Sequence, residues 1–151
     1  MNEVHLFRGI PGVGKTTLAR RMTNFVLAAD DFFESPEGYK FNPMNIGEAH
    51  ADCQMRFFCC CETKAKTIAV TNTFVKNWEI EFYLRVANSF GYSIFVHEFA
   101  AHSDTLRKCA KRNVHGVPLE VCERMIADFE QIDEKAYSFK FTKVTNHVVK
   151  V

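Results

Sequence analysis

Four residues near the amino terminus stand at a spacing that builds an anion site. Gly9, Gly14, Lys15 and Thr16 fit G-x-x-x-x-G-K-[ST] within the run GIPGVGKTT, which also brings Pro11, Gly12, Val13 and Thr17. A loop that turns its N–H groups inward around phosphates needs glycine where a Cβ would clash or φ must be positive. Gly9, Gly12 and Gly14 fill those places. Lys15 offers a point charge to β- and γ-phosphate oxygens, Thr16 a hydroxyl to Mg²⁺, and a following helix its positive dipole end. The pattern is that of a phosphate-binding P-loop, with ATP and Mg²⁺ as the expected cofactors.

Phosphoryl transfer also asks for a carboxylate beside the acceptor and a cation over the γ-phosphate. Asp30 and Asp31 end a second β-rich run. In an extended segment successive side chains point to opposite sides, so at most one of them faces an acceptor hydroxyl. The expectation is Asp30 as general base, with Asp31 fixing the loop or contacting the acceptor; either aspartate can reach Mg²⁺ through water. The alternative is that both cap the turn ending the strand. Arg107, Lys108, Lys111 and Arg112 form adjacent pairs offset by four positions and so share one side of a short helix, with His102 and His115 near its ends. Beside a P-loop such a helix can act as a lid over the phosphates, and Arg112 is its candidate catalytic cation. Phe32, Phe33 and Tyr39, in the loop after Asp31, are candidates for stacking on a base or nucleoside.

The elements that must hold these residues are read from periodicity. A buried strand covers about Glu3 to Arg8, a helix Lys15 to Thr23, and a second strand Phe25 to Ala29. Phe32 to Asn45 contains Pro36, Gly38 and Pro43 and reads as an irregular loop. Cys53, Phe57, Cys60 and Cys61 space a helix over about Ile46 to Lys64, and a strand follows from Thr67 to Val70. Trp78, Phe82, Val86 and Phe90 recur at i,i+4 and predict the buried stripe of a helix stopped by Gly91. Ser93 to Phe99 reads as a strand, and Ser103 as the cap of a helix through Arg112. Gly116 and Pro118 separate that helix from a last one bearing Cys122, Met125, Ile126, Phe129 and Ile132. Tyr137 to Val151 alternates as a strand or edge hairpin. Strand and helix alternate throughout. The expected fold is therefore α/β: a three-layer sandwich with a central, mostly parallel sheet, and a helical lid at about residues 103–117.

Whole-chain properties narrow the classes further. The 151 residues suit one domain over 1–151, and 47% hydrophobic with 25% charged residues is ordinary for a globular chain. Net charge is +1, so any nucleic-acid contact must come from a local patch. No apolar run approaches the ~20 residues of a membrane span, and no signal-peptide core opens the chain, so a cytoplasmic protein is expected. Six cysteines lack paired C-x-x-C spacing, and Cys59 to Cys61 would fan over about 200° of a helix. They are expected to be reduced and packed as small hydrophobes. Nothing in the sequence marks an oligomeric state.

The runs RGIPGVGKTT, ADDFF, FNPMNIGEAHADC, NTFVKNWE and KRNVHGVPLEVCERM together resemble the polynucleotide-kinase-like P-loop domain. The resemblance covers about Val4 to Phe129. It is strongest toward the Nedd-four-binding-protein-two group and more distant toward the kinase half of phage polynucleotide kinase. It implies a central parallel sheet, a mobile lid, and ATP-dependent phosphorylation of the 5′-OH of DNA or RNA. Lys15, Thr16, Asp30 and Arg112 match the P-loop, base and lid positions of that family. Three departures are visible. Thr71, Asn72, Thr73 and Phe74 stand where the family has an acid followed by N-T-N, leaving Asn72 as an acceptor-side candidate. Phe32, Phe33 and Glu34 occupy the place of a substrate-phosphate arginine, and His115 is nearest to a second lid arginine. The competing readings are a kinase of nucleosides or of a hydroxylated base in DNA, a nucleotide-binding module without turnover, and an ATPase driving a partner.

Overall fold

The computed structural model describes residues 1–100, 103–113 and 115–148. Its centre is β1 (Glu3–Arg8), whose residues after Glu3 alternate between two covered faces and are all buried. The P-loop leads from it into α1 (Lys15–Met22), and β2 (Phe25–Leu27) follows. After two-residue strands β3 (Glu34–Ser35) and β4 (Gly38–Tyr39) come α2 (Ile46–Glu62) and β5 (Thr67–Thr71). Next are α3 (Asn77–Ser89), β6 (Ser93–Ala100), α4 (Ser103–Arg112), α5 (Leu119–Asp128) and β7 (Thr142–Val148). The main sheet runs β2-β5-β1-β6-β7, and every pairing in it is parallel.

Alternation along the strands sorts the core into two layers. Val4, Leu6, Ile68, Val70, Ile94 and Val96 face α2 and α3. Phe7, Ala69 and Phe99 face α1, α4 and α5, represented by Ala19, Cys109 and Cys122. The α/β sandwich with helices on both faces of a parallel sheet is thus the fold of this chain.

Four details differ from the sequence reading. The buried stripe of α3 is Ile80, Tyr83, Leu84 and Ala87, while Trp78 is 73% exposed and Phe90 half-exposed. The helix is apolar on more than one stripe, and the i,i+4 series chosen from sequence runs along its flank. Strand β2 stops at Leu27, and Asp30 and Asp31 lie on a 3₁₀ turn, Ala29–Phe33, so strand alternation does not separate them. The Phe32 to Asn45 loop folds back as the β3–β4 hairpin around Gly38, at φ +113. Phe129 and Ile132 fall beyond the end of α5, Ile132 entering the main core. The tail resolves as a parallel strand: β7 pairs with β6, and the last positions of the tail, with His102, lie outside the described residues.

All six cysteines are free; Cys53, Cys61, Cys109 and Cys122 are buried, whereas Cys59 is exposed. Among the described residues no helix is long and apolar enough to cross a membrane.

Candidate active site at the P-loop

The site forms beyond the carboxyl ends of β1, β2 and β5, where open α/β sheets carry their ligands. Gly9 N–H donates to the Thr73 carbonyl at 3.1 Å, joining the start of the P-loop to the segment after β5. Gly14 caps α1 in the left-handed conformation at φ +101. Gly12 has φ +89, and a Cβ there would stand 2.1 Å from the Cys109 carbonyl oxygen. The backbone of α4 is therefore seated on the loop, and only glycine permits that approach. The Arg112 guanidinium comes within 3.9 Å of where a Cβ on Gly14 would be.

Lys15 is 8% exposed, and its Nζ donates to the Gly9 and Ile10 carbonyls. Burial pushes its pKa down to about 7 against the opposing pull of Asp30. That pull also puts Asp30 within electrostatic reach of the P-loop cation. Thr16 lies exposed in the first turn of α1.

The two aspartates have different surroundings. Asp31 Oδ2 accepts from Ala28 N–H at 3.1 Å and pairs with Arg56 Nη1 at 3.2 Å. Arg56 also binds Asp52 Oδ2 and the Ala28 carbonyl, so Asp31 belongs to the frame of the turn. Asp30 keeps a side chain 46% exposed. Its Oδ1 accepts from the Tyr39 hydroxyl at 3.0 Å, and its Oδ2 lies 3.5 Å from His115 Nε2.

Other candidates are placed less openly. Phe33 is 8% exposed and packs edge-on against Tyr39 and Phe41, so it has no face left for an acceptor. Asn72 is buried, with Oδ1 accepting from Ala29 N–H at 2.9 Å; it holds the turn that carries Asp30. The Thr71 hydroxyl, where the resemblance leads one to expect an acid, is buried without a hydrogen-bond partner. The basic cluster on α4 divides: Arg112 lies against the P-loop, while Arg107 and Lys111 line an open groove of about 510 Å³ with Val117, Pro118 and Leu119.

Sequence reasoning missed two partners. Arg56 had a readable signal in its i,i+4 spacing from Asp52. Tyr39 as the partner of Asp30 had none, because the contact depends on the fold-back of the β3–β4 hairpin.

Residues 4–132 match the family model described as an AAA domain. The chain belongs to this AAA-domain family. Its domain is 32% identical over 136 residues to human NEDD4-binding protein 2, covering 83% of this chain but only 8% of that protein. Among solved structures, this AAA domain is similar to an unliganded sugar kinase from Janibacter sp. HTCC2649, with a TM-score of 0.63, 16% identity, and coverage of 96% and 84% of the two chains. The Pnkp1/Rnl/Hen1 RNA repair complex gives 0.66 at 16% identity, over 93% of this chain and 47% of that one. Kti12 from Chaetomium thermophilum, in complex with ADP-AlF3, gives 0.60 at 10% identity, over 95% and 89%. The AAA domain thus has the fold of P-loop kinases and P-loop nucleotide-binding proteins.

Proposed function

We propose that this chain is an ATP-dependent kinase that transfers the γ-phosphate to a hydroxyl, the 5′-OH of a polynucleotide being the preferred acceptor. The observation that carries the reading is Asp30: a half-exposed carboxylate within electrostatic reach of Lys15, whereas its neighbour Asp31 is tied to Ala28 and Arg56. A base near the acceptor and a cation at the phosphates are what phosphoryl transfer requires of a protein. The resemblance to polynucleotide-kinase-like domains and the likeness to a structure of an RNA repair complex support the choice of acceptor.

In this reading Gly9 to Thr17 wrap the phosphates, Lys15 turns from its loop carbonyls to the β- and γ-oxygens, and α4 serves as the lid, with Arg112 over the γ-phosphate. Among the described residues no three His, Cys, Asp or Glu side chains are arranged to hold a metal ion. Mg²⁺ keeps several waters and takes one or two protein ligands beside phosphate oxygens. Thr16, with Asp30 through water, would hold it. When bound, the ion supplies positive charge to the transferring phosphoryl group.

The test is transfer from γ-labelled ATP with Mg²⁺ to 5′-OH DNA and RNA oligonucleotides and, separately, to nucleosides. Label on oligonucleotide ends is expected. Lys15→Ala and Asp30→Ala should each lower transfer by at least ~10²-fold, the lower end of what a positioned base contributes. Label on nucleosides alone would replace the polynucleotide acceptor with a small one. One observation favours a binding module without turnover: Thr71 offers a buried, unpaired hydroxyl where the resemblance leads one to expect an acid. That reading predicts ATP binding, lost in Lys15→Ala, with no labelled product from any hydroxyl.

A further inference from the structure

The carboxylate of Asp30 is gripped from two elements that sequence places far apart. Tyr39, at the end of the β3–β4 hairpin, donates its hydroxyl to Oδ1 at 3.0 Å. His115, in the joint between α4 and α5, approaches Oδ2 at 3.5 Å. The two rings lie against each other, centroids 4.3 Å apart and tilted by 38°. These contacts are unequal. The Tyr39 bond has ordinary length for a hydroxyl donor, and its ring is backed by Phe33. The His115 approach is longer than a good N–H···O bond, and the other ring nitrogen, Nδ1, is buried without a partner. A ring left unpaired on one side and weakly held on the other yields easily.

We infer that Tyr39 is the positioning residue for the base, and that the acceptor hydroxyl enters at Asp30 Oδ2, displacing His115. This rests on the reading of Asp30 as general base. Tyr39 fixes the carboxylate so that its second oxygen points to the acceptor. As the acceptor oxygen bonds to the γ-phosphorus, its proton passes to Oδ2, the bond from γ-phosphorus to the β,γ-bridging oxygen breaks, and ADP leaves with that electron pair. Since His115 sits at the end of the α4 segment, entry of the acceptor and movement of that segment are coupled through one side chain.

Two measurements test this. The first needs no substrate: the ¹³Cζ resonance of Tyr39 in labelled protein at neutral pH, which responds to the bond its hydroxyl donates to Asp30 Oδ1. Asp30→Ala is expected to shift that resonance, and an unchanged resonance would overturn the contact. The second is kinetic. Tyr39→Phe keeps the ring packing and is expected to lower kcat at least tenfold while the KM for ATP stays put. Full kcat in Tyr39→Phe, with Asp30→Asn inactive, defeats the positioning role alone; retained transfer in Asp30→Asn defeats the base itself. His115→Ala should lower the acceptor's KM, and a raised KM would assign Oδ2 to His115 and overturn the proposal.

Discussion

Lys15 has its ammonium turned onto two carbonyls of its own loop, and burial brings its pKa to about 7. The folded chain therefore binds fewer protons here than the unfolded chain between about pH 7 and the ordinary lysine value of 10.5. Stability linked to this group rises with pH through that window and is lowest below it. Lys15→Met, which buries no charge, should gain most in Tm over the parent at pH 6 to 7 and progressively less toward pH 10; a gain independent of pH would show that Lys15 titrates normally. The same shift predicts proton uptake on nucleotide binding, because a polyphosphate restores the charge. At pH 8 the calorimetric heat of ATP binding should depend on the ionisation heat of the buffer, with the sign of proton uptake. The glycines, Lys15 and Thr16 were legible from sequence because their geometry is local to nine residues. The distinct surroundings of Asp30 and Asp31 were not, since they depend on a 3₁₀ turn, on Arg56 from α2 and on Tyr39 from a hairpin.

At the scale of elements, the contact between α4 and the P-loop decides what the loop tolerates. A methyl at Gly12 meets the Cys109 carbonyl at 2.1 Å and forces a side chain onto φ +89. Gly12→Ala should thus cost about 1–3 kcal/mol through backbone strain alone and push α4 from its seat. Chemical denaturation checks the first effect. Amide exchange across Ser103–Arg112, faster in the variant, checks the second. Element order was readable, because strand and helix periodicities alternate cleanly along the chain. Facing was harder. Helix α3 carries apolar residues on neighbouring stripes, so sequence spacing chose Trp78 and Phe90, whereas tertiary packing buried Ile80, Tyr83, Leu84 and Ala87. The basic cluster of α4 likewise read as one face, but the turn into α5 gives Arg107 and Lys111 a groove of their own.

At the scale of the molecule, one arginine fastens distant parts of the chain around the site. Arg8, at the end of β1 and 1% exposed, donates to the carbonyls of Phe74, Val75 and Glu130, and its guanidinium lies 4.0 Å from the Phe129 ring centroid. Phe74 stands in the left-handed region at φ +48, a conformation these bonds help to hold. Arg8→Met would leave several buried acceptors unpaired, each worth about 1–3 kcal/mol, so a loss of about 3 kcal/mol or more is expected in urea denaturation. A loss below about 1 kcal/mol would mean that water replaces the guanidinium. The sheet order has its own consequence for how the protein is made. The middle strand of the finished sheet, β1, leaves the ribosome before its partners Thr67–Thr71 and Ser93–Ala100, which are translated much later. Until residue 100 emerges, the apolar Val4, Leu6 and Phe7 have no complete slot to occupy, so the nascent chain is a natural client for a holding chaperone and a sensitive substrate for early proteolysis.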